Sequence, residues 1–148
     1  MGYIYRMDPE NFLDYLTSFD YKRKESIIRR IMSCAYYVIL FFCWEYFEEK
    51  KKQSLKSFIP YFVKMPRNPE SLGMVYALNS IDRKLGRRAN TLFVYRIAAD
   101  HKFIIPTEIP TRYPKRDNAI VYCTEQEAKD SVKMAKEIIL RLKSLSNL

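Results

Sequence analysis

Residues 21–51 read YKRKESIIRRIMSCAYYVILFFCWEYFEEKK, and this stretch decides the fold. Apolar residues occupy one helical face over 27–31 and nearly every face over 32–44. A helix that is apolar on every side is buried on every side. We therefore expect a long central helix over 21–51. A chain of 148 residues seldom encloses such a helix alone, so we expect a second subunit to complete its cover; long loops packed over the helix are the alternative.

Two shorter helices are predicted on either side of this stretch. Asp8 before Pro9 is typical of an N-cap followed by proline at the first helical position, and predicts a helix over 9–19. Residues 54–63 are predicted to form another short helix, which leads into a loop because prolines interrupt the chain there.

One long helix is predicted over residues 69–100, from apolar residues spaced three and four apart. Gly86 lies in its middle, at a cost of ~1 kcal/mol relative to alanine, and we interpret it as a point where another helix approaches closely. The predicted buried stripe consists of Leu78, Ile81, Leu85, Ala89 and Leu92.

The last helix is predicted to begin at Thr124, because Thr124 and Glu127 have the spacing of a capping box. The preceding residues 102–122 are not helical throughout, since three prolines recur there at every fourth position and hold the chain extended. An ordered loop of this length is often functional. The predicted buried face of the last helix consists of Ala128, Val132, Ala135, Ile138, Ile139 and Leu142.

Composition agrees with a helical fold. Apolar residues make up 48% of the chain and only three residues are glycine, whereas all-β sandwiches and barrels usually need more glycine-rich turns. We therefore expect a single all-α domain over residues 1–148: an up-and-down bundle of four or five helices that dimerises.

Cysteine usage and hydropathy bear on where the protein works. Cys34 and Cys43 lie ~13 Å apart along one predicted helix, too far for a disulfide, and Cys123 has no evident partner. The sequence contains no CxxC pair, so a structural zinc site is not expected. The apolar run 31–44 is shorter than the ~20 residues of a membrane span, and the N-terminus lacks the apolar segment of a signal peptide. We expect a cytoplasmic protein in a reducing compartment.

The net charge is +9, from 26 Lys and Arg against 17 Asp and Glu. A basic chain favours contact with RNA, DNA, a nucleotide or an acidic protein, although such a charge also serves solubility alone. The candidate phosphate-binding residues are Arg83, Lys84, Arg87, Arg88, Arg112, Lys115 and Arg116. A solvated helix face is the alternative interpretation of the first four.

Arg96, Asp100 and His101 form the candidate catalytic group. Eighteen residues make five helical turns, so Arg96 is predicted to point inward, in line with Leu78. A buried guanidinium needs a partner. Asp100, four residues later, can form an ion pair with Arg96; a subunit interface or an anionic cleft is the alternative. His101, the only histidine, is either a chemical group or a polar helix terminus.

Arg96 and His101, with four residues between them near the end of a bundle helix, resemble the Arg-x4–6-His motif of the HEPN family. The extended loop and the capped final helix are also similar to that family, and the resemblance covers about 70–142. It implies a dimeric helical bundle in which both subunits contribute Arg and His to an interfacial cleft. Many members are metal-independent endoribonucleases, often toxins paired with a nucleotidyltransferase-like antitoxin, and others bind nucleotides or act as adaptors.

The resemblance implies a metal-free and cofactor-free cleavage of RNA. His101 would take the proton of a ribose 2′-hydroxyl, which attacks the neighbouring phosphate and leaves a 2′,3′-cyclic phosphate. Arg96 would stabilise the charge on the phosphoryl oxygens. Five residues of helix place Arg96 and His101 ~140° apart. They converge only if the helix ends or unwinds near Asp100, or if they meet across the dimer.

Three functions therefore remain open from the sequence. The first is a HEPN-like ribonuclease, the second is a non-catalytic module that binds RNA or a nucleotide, and the third is a structural dimer that binds an acidic protein. HExxH, Walker and GxGxxG motifs do not occur in the chain, so metalloprotease, P-loop and dinucleotide-binding functions have no support.

Overall fold

The computed structural model describes residues 8–18, 25–113 and 115–146. Within these ranges the chain is mostly helical, with one small antiparallel hairpin. The elements are α1 (Pro9–Thr17), α2 (Glu25–Trp44), a π-helical turn (Glu45–Lys50), a 3-10 turn (Leu55–Phe58), α3 (Pro69–Ile81), α4 (Arg83–His101), β1 (Thr107–Thr111), β2 (Asp117–Val121) and α5 (Glu125–Ser146).

The central helix is α2, as the sequence predicts. It packs mainly against α4 and α5, and also against α1 and α3. Its inward residues, among them Met32, Ile39 and Cys43, are fully buried in one continuous apolar core. One side is not covered by the described chain, because Tyr37 and Phe41 remain exposed; that a second subunit completes the cover stays a prediction. The predicted first residues, 21–24, lie outside the described ranges.

The helix predicted over 69–100 is wrong as a single element. Asp82 adopts an extended backbone, with φ −157° and ψ 129°, and its carboxylate accepts a hydrogen bond from the backbone N–H of Lys84 at 2.9 Å. Asp82 therefore ends α3 and caps α4. Periodicity missed this break because both helices bury their apolar residues in the same core, so the spacing continues across it. The angular alignment of Leu78 with Arg96 consequently does not hold.

Gly86 marks a close helix–helix approach, as predicted, but the position of Gly86 within its helix differs from the prediction. It lies in the first turn of α4, against α3, and an added Cβ would lie 2.8 Å from the Cβ of Asn79. Gly73 of α3 is tighter still, because its added Cβ would lie 2.3 Å from the carbonyl oxygen of Leu55. Both glycines therefore allow backbone contacts that alanine would obstruct.

The extended conformation predicted for 102–122 is present, but its hairpin was not predicted and adds a small sheet to the mostly helical fold. β1 and β2 pair antiparallel, with Ile109 opposite Ala119 and Thr107 opposite Val121. Buried and exposed side chains alternate along β1, as expected for a strand with one covered face: Ile109 is buried while Glu108 and Pro110 are exposed. The buried face of the hairpin packs against α4. A two-stranded ribbon is marginal alone, so this helix contact supports it.

The first and last helices begin as predicted. Asp8 caps α1 by accepting from the backbone N–H of Glu10 at 3.1 Å. The backbone N–H of Thr124 donates to the carboxylate of Glu127 at 3.2 Å, and the hydroxyl of Thr124 donates to the same carboxylate. The six residues predicted to form the inner face of α5 are all buried. All three cysteines are free thiols, as expected.

The continuous helical segment Glu25–Lys50, formed by α2 and the π-helical turn, is long and apolar enough to span a membrane. We call this segment the rod. Its most apolar 18-residue stretch has a mean hydropathy of 1.5, and 44% of that stretch is buried inside the protein. Core helices of soluble proteins meet the same criterion, so the rod alone does not assign a membrane location.

Candidate functional site

Arg96 lies on α4 and is held by side chains of two helices. Its Nε lies 3.2 Å from the Asp100 carboxylate, which confirms the ion pair predicted from their four-residue spacing. Its guanidinium also donates to the hydroxyl of Tyr37, at 3.1 Å from Nε and 2.6 Å from Nη2. The same group lies over the rings of Tyr36 and Tyr37, 5.6 and 5.3 Å from their centroids. These contacts hold the Arg96 side chain against α2.

His101 lies on another side of α4 from Arg96. The helix continues as regular α-helix through His101, so the unwinding that would bring the two together within one chain does not occur. His101 is exposed and lines a hollow with Glu25, Arg29 and Phe103. Arg96 does not line that hollow. The structure therefore pairs Arg96 with Asp100 and leaves His101 away from Arg96, while Asp100 also lines the hollow of His101.

Arg29 of α2 has a role that the sequence did not reveal. Its guanidinium donates to the carbonyl oxygens of Ala98 at 3.1 Å, Ala99 at 3.2 Å and Lys102 at 2.5 Å. These carbonyls belong to the end of α4, where a helix has unsatisfied acceptors and a negative dipole end. Arg29 thereby fixes the C-terminus of α4 against α2. Since its partners lie about seventy residues away, local spacing gives no signal for this cap.

Arg96 lines a hollow with a volume of about 610 Å³. We call this hollow the tyrosine groove. Residues of α2, α3, α4, the hairpin and the loop before α3 line this groove. Glu70 is the one acidic residue among the lining residues. Those lining residues are Tyr36, Tyr37, Leu40, Pro66, Asn68, Glu70, Ser71, Leu72, Val75, Asn90, Phe93, Arg96, Ile97, Pro110 and Arg112.

Hydrogen bonds fix two sides of the tyrosine groove. The hydroxyl of Tyr36 shares a hydrogen bond with the hydroxyl of Ser71, which joins α2 to α3, and burial raises the pKa of Tyr36 above its usual range. The side-chain amide of Asn90 donates to the carbonyl of Tyr113 at 2.9 Å, which joins α4 to the hairpin. The groove is therefore largely preformed.

A second groove, of about 480 Å³, adjoins the first, because Pro66 and Arg112 line both. We call it the basic groove. Four of its lining residues are cationic and none of them is acidic. Those lining residues are Phe62, Val63, Lys64, Met65, Pro66, Arg67, Tyr76, Arg112 and Arg116.

The four cations of the basic groove come from two loops that are distant in sequence. Lys64 and Arg67 belong to the loop before α3, and Arg112 and Arg116 to the turn of the hairpin. All four are exposed, and none of them forms an ion pair with any other described residue. Four positive charges with no acidic lining residue therefore share one concave surface, which favours an anionic ligand.

The sequence predicted only half of this groove. Arg112 and Arg116 were candidates because they lie in a long ordered loop, and both line the groove. Lys115 is exposed nearby but does not line it. Lys64 and Arg67 were missed because tertiary contacts place their loop beside the hairpin. No local sequence pattern indicates those contacts.

The basic cluster on α4 does not join either groove. Arg83, Lys84 and Arg87 are exposed in the first half of the helix. Arg88 forms an ion pair with Glu137 of α5, so it has a structural partner. These residues fit the alternative interpretation, a solvated helix face.

Comparisons of this chain with protein-family models, with curated proteins and with solved structures find no match. Function must therefore be inferred from the grooves themselves.

Proposed function

We propose that the protein is a non-catalytic RNA-binding module that holds single-stranded RNA in the basic groove. The observation that carries the proposal is the groove's composition: four exposed cations and no carboxylate line one concave surface. These cations have no ion-pair partner among the described residues and are available to phosphates, and each phosphate contact releases counterions from the nucleic acid.

The aromatic residues of the groove favour a single strand over a duplex. Phe62 is 77% exposed, and Tyr76 also lines the groove. Proteins that bind single strands combine a basic groove with aromatic side chains on which bases stack. A duplex keeps its bases paired inside and offers no free faces for such stacking. The exposed ring of Phe62 therefore suits an unpaired base.

The tyrosine groove extends the path of the strand. Arg112 lies where the two grooves meet, so one guanidinium can contact the phosphate between two successive nucleotides. Arg96 presents a second guanidinium further along, although its pairing with Asp100 reduces the charge it offers. The amide groups of Asn68 and Asn90 line the same groove and can hydrogen-bond to a base edge or to a 2′-hydroxyl.

A binding function accounts for Arg96 better than catalysis by one chain does. Its guanidinium already has the Asp100 carboxylate and the Tyr37 hydroxyl as partners, and His101 lines a different hollow. A general base must lie within hydrogen-bond reach of the proton it removes. The HEPN resemblance and its ribonuclease activity remain predictions that require a second subunit to supply the histidine.

The test is RNA affinity as a function of salt, measured by fluorescence anisotropy with a short labelled single-stranded RNA. The wild type is compared with the double variant Arg112→Ala/Arg116→Ala. We expect about tenfold weaker binding and a shallower salt dependence in the variant, with a loss of roughly 0.7 in the log–log slope for each lost phosphate contact.

The matched control is Arg83→Ala/Arg87→Ala, which removes the same charge from exposed positions outside both grooves. We expect this control to bind almost as tightly as the wild type. Equal losses in the two double variants would mean that only net charge matters, and the proposed groove would then be wrong. A preference for duplex over single-stranded RNA would also contradict the proposal.

A further inference from the structure

One side of α2 remains uncovered in the described structure. Tyr37, Phe41 and Trp44 are 45%, 57% and 39% exposed, respectively. Their spacings of four and three residues place them along one face of the helix. The other faces of α2 pack against α1, α3, α4 and α5. Three large aromatic side chains thus form a continuous exposed stripe on α2.

Phe41 forms a ridge between two apolar hollows. The hollow on one side, of about 230 Å³, is lined by Phe12, Cys34 and Val38 among others. The hollow on the other side, of about 420 Å³, is lined by Leu40 and Trp44. Phe41 and Tyr37 line both. A ridge beside a groove is the surface that another helix fills when side chains interdigitate.

The same face of the helix continues beyond the three aromatic residues at both ends, and we include these flanking residues in the stripe. Its spacings are the same from either end: four, three, four, three and four residues. The six positions are Arg30, Cys34, Tyr37, Phe41, Trp44 and Glu48. An antiparallel two-fold axis beside residue 39 places Tyr37 opposite the second copy's Phe41. The same axis places Cys34 opposite the second copy's Trp44. It also places Arg30 opposite the second copy's Glu48.

We propose that a second copy of this chain docks antiparallel on the α2 stripe and forms a two-fold symmetric dimer. The alternating spacing of four and three is that of a helix pair with interlocking side chains. The charges at the ends are complementary, because Arg30 at one end meets Glu48 at the other, twice per dimer. A two-fold interface must be complementary to itself, and this stripe is complementary in both shape and charge.

The geometry of α2 agrees with that pairing. Arg30 and Glu48 are separated by 18 residues, or about 27 Å of helix and five turns. The π-helical turn winds less per residue than an α-helix, so Glu48 lies beside the line of the stripe, within reach of a long arginine side chain. Tyr37 is held rigid by its hydrogen bond to Arg96, so less conformational entropy is lost when it is buried.

The stripe and the basic groove share no residue, and Tyr37 is the one stripe residue that also lines the tyrosine groove. The dimer and RNA binding in the basic groove can therefore be tested separately. The first test is the molar mass in solution, by light scattering after gel filtration. We expect a dimer for the wild type and a monomer for Phe41→Glu. The matched control is Leu140→Glu on α5, since Leu140 is 58% exposed and lies outside the stripe; it should remain a dimer. Unchanged circular dichroism of Phe41→Glu confirms that the monomer is folded.

The second test fixes the orientation with a cysteine cross-link. Trp44→Cys places a thiol opposite the natural Cys34 of the other copy, so mild oxidation should give a covalent dimer. Trp44→Cys/Cys34→Ala should give none, because two copies of residue 44 lie about 15 Å apart along the antiparallel pair. Cross-linking of both variants alike would overturn the antiparallel arrangement.

A wild type that is monomeric at every concentration measured would overturn the dimer itself. A monomer that sediments with lipid vesicles, and loses this property in Phe41→Glu, would assign the stripe to a membrane surface.

Discussion

The guanidinium of Arg96 donates a hydrogen bond of 2.6 Å to the hydroxyl of Tyr37. This contact joins α4 to α2 at the edge of the tyrosine groove. The Arg96 side chain is only 23% exposed, so its guanidinium needs partners that replace water, and Tyr37 and Asp100 supply them. Arg96 thus contributes to stability as well as to the wall of the groove.

Replacing Arg96 by alanine should lower the free energy of unfolding by about 2 kcal/mol, since it removes a charge-assisted hydrogen bond and contacts with two aromatic rings. Urea denaturation measures the change. Tyr37→Phe keeps the ring and should cost about 1 kcal/mol. Arg112→Ala serves as the control and should cost little, because Arg112 is exposed. Equal losses for Arg96→Ala and Arg112→Ala would contradict the structural role.

Gly73→Ala should destabilise the protein, although alanine is the better helix former by ~1 kcal/mol. The added Cβ would lie 2.3 Å from the backbone oxygen of Leu55, so the 3-10 turn must move away from α3. We expect a net loss of about 1–3 kcal/mol in thermal or chemical unfolding. Ser80→Ala, in the same helix and exposed, is the control. A more stable Gly73→Ala protein would show that the turn is not packed there.

Stability should fall as the pH rises above about 9. Burial raises the pKa of the Cys43 thiol above its ordinary value of 9.0, so the unfolded chain ionises first and the folded chain retains its proton. The folded state then binds more protons, and the free energy of unfolding declines with pH by about 1.4 kcal/mol per unit for this group. The measurement is urea denaturation at several pH values, with Cys43→Ala as the comparison. Cys43→Ala should show a shallower decline, and an identical decline in both proteins would contradict this account.

RNA incubated with the protein in EDTA should remain intact if the module only binds. Gel electrophoresis of labelled RNA shows whether cleavage occurs, and detection of a 2′,3′-cyclic phosphate identifies its chemistry. Cleavage that persists in EDTA and disappears in His101→Ala would replace the binding function by the ribonuclease suggested by the HEPN resemblance. Cleavage that is equal in both proteins would indicate a contaminating nuclease.

Periodicity and capping predicted much of the helical core. The central helix, the cap of α1 and the capping box at Thr124 follow from local patterns, and the structure has all three. The break at Asp82 could not be found by spacing, because α3 and α4 bury one continuous set of residues. The hairpin was not predicted, because its prolines indicate an extended chain but do not indicate which residues pair as strands.

The candidate site was less predictable than the fold. Arg112, Arg116 and the ion pair of Arg96 with Asp100 followed from the sequence. Lys64 and Arg67 did not, because a groove between two loops depends on tertiary contacts that local patterns do not encode. Arg29 was missed for the same reason.

The central claim is that RNA lies in the basic groove, and photocross-linking tests it most directly. A single-stranded RNA that carries 4-thiouridine is irradiated in complex with the wild type, and the cross-linked peptides are identified by mass spectrometry. We predict cross-links within residues 62–67, at Tyr76, and at Arg112 and Arg116, all of which line the groove. Efficient cross-links confined to residues 83–88 of α4, with none in the groove, would contradict the claim.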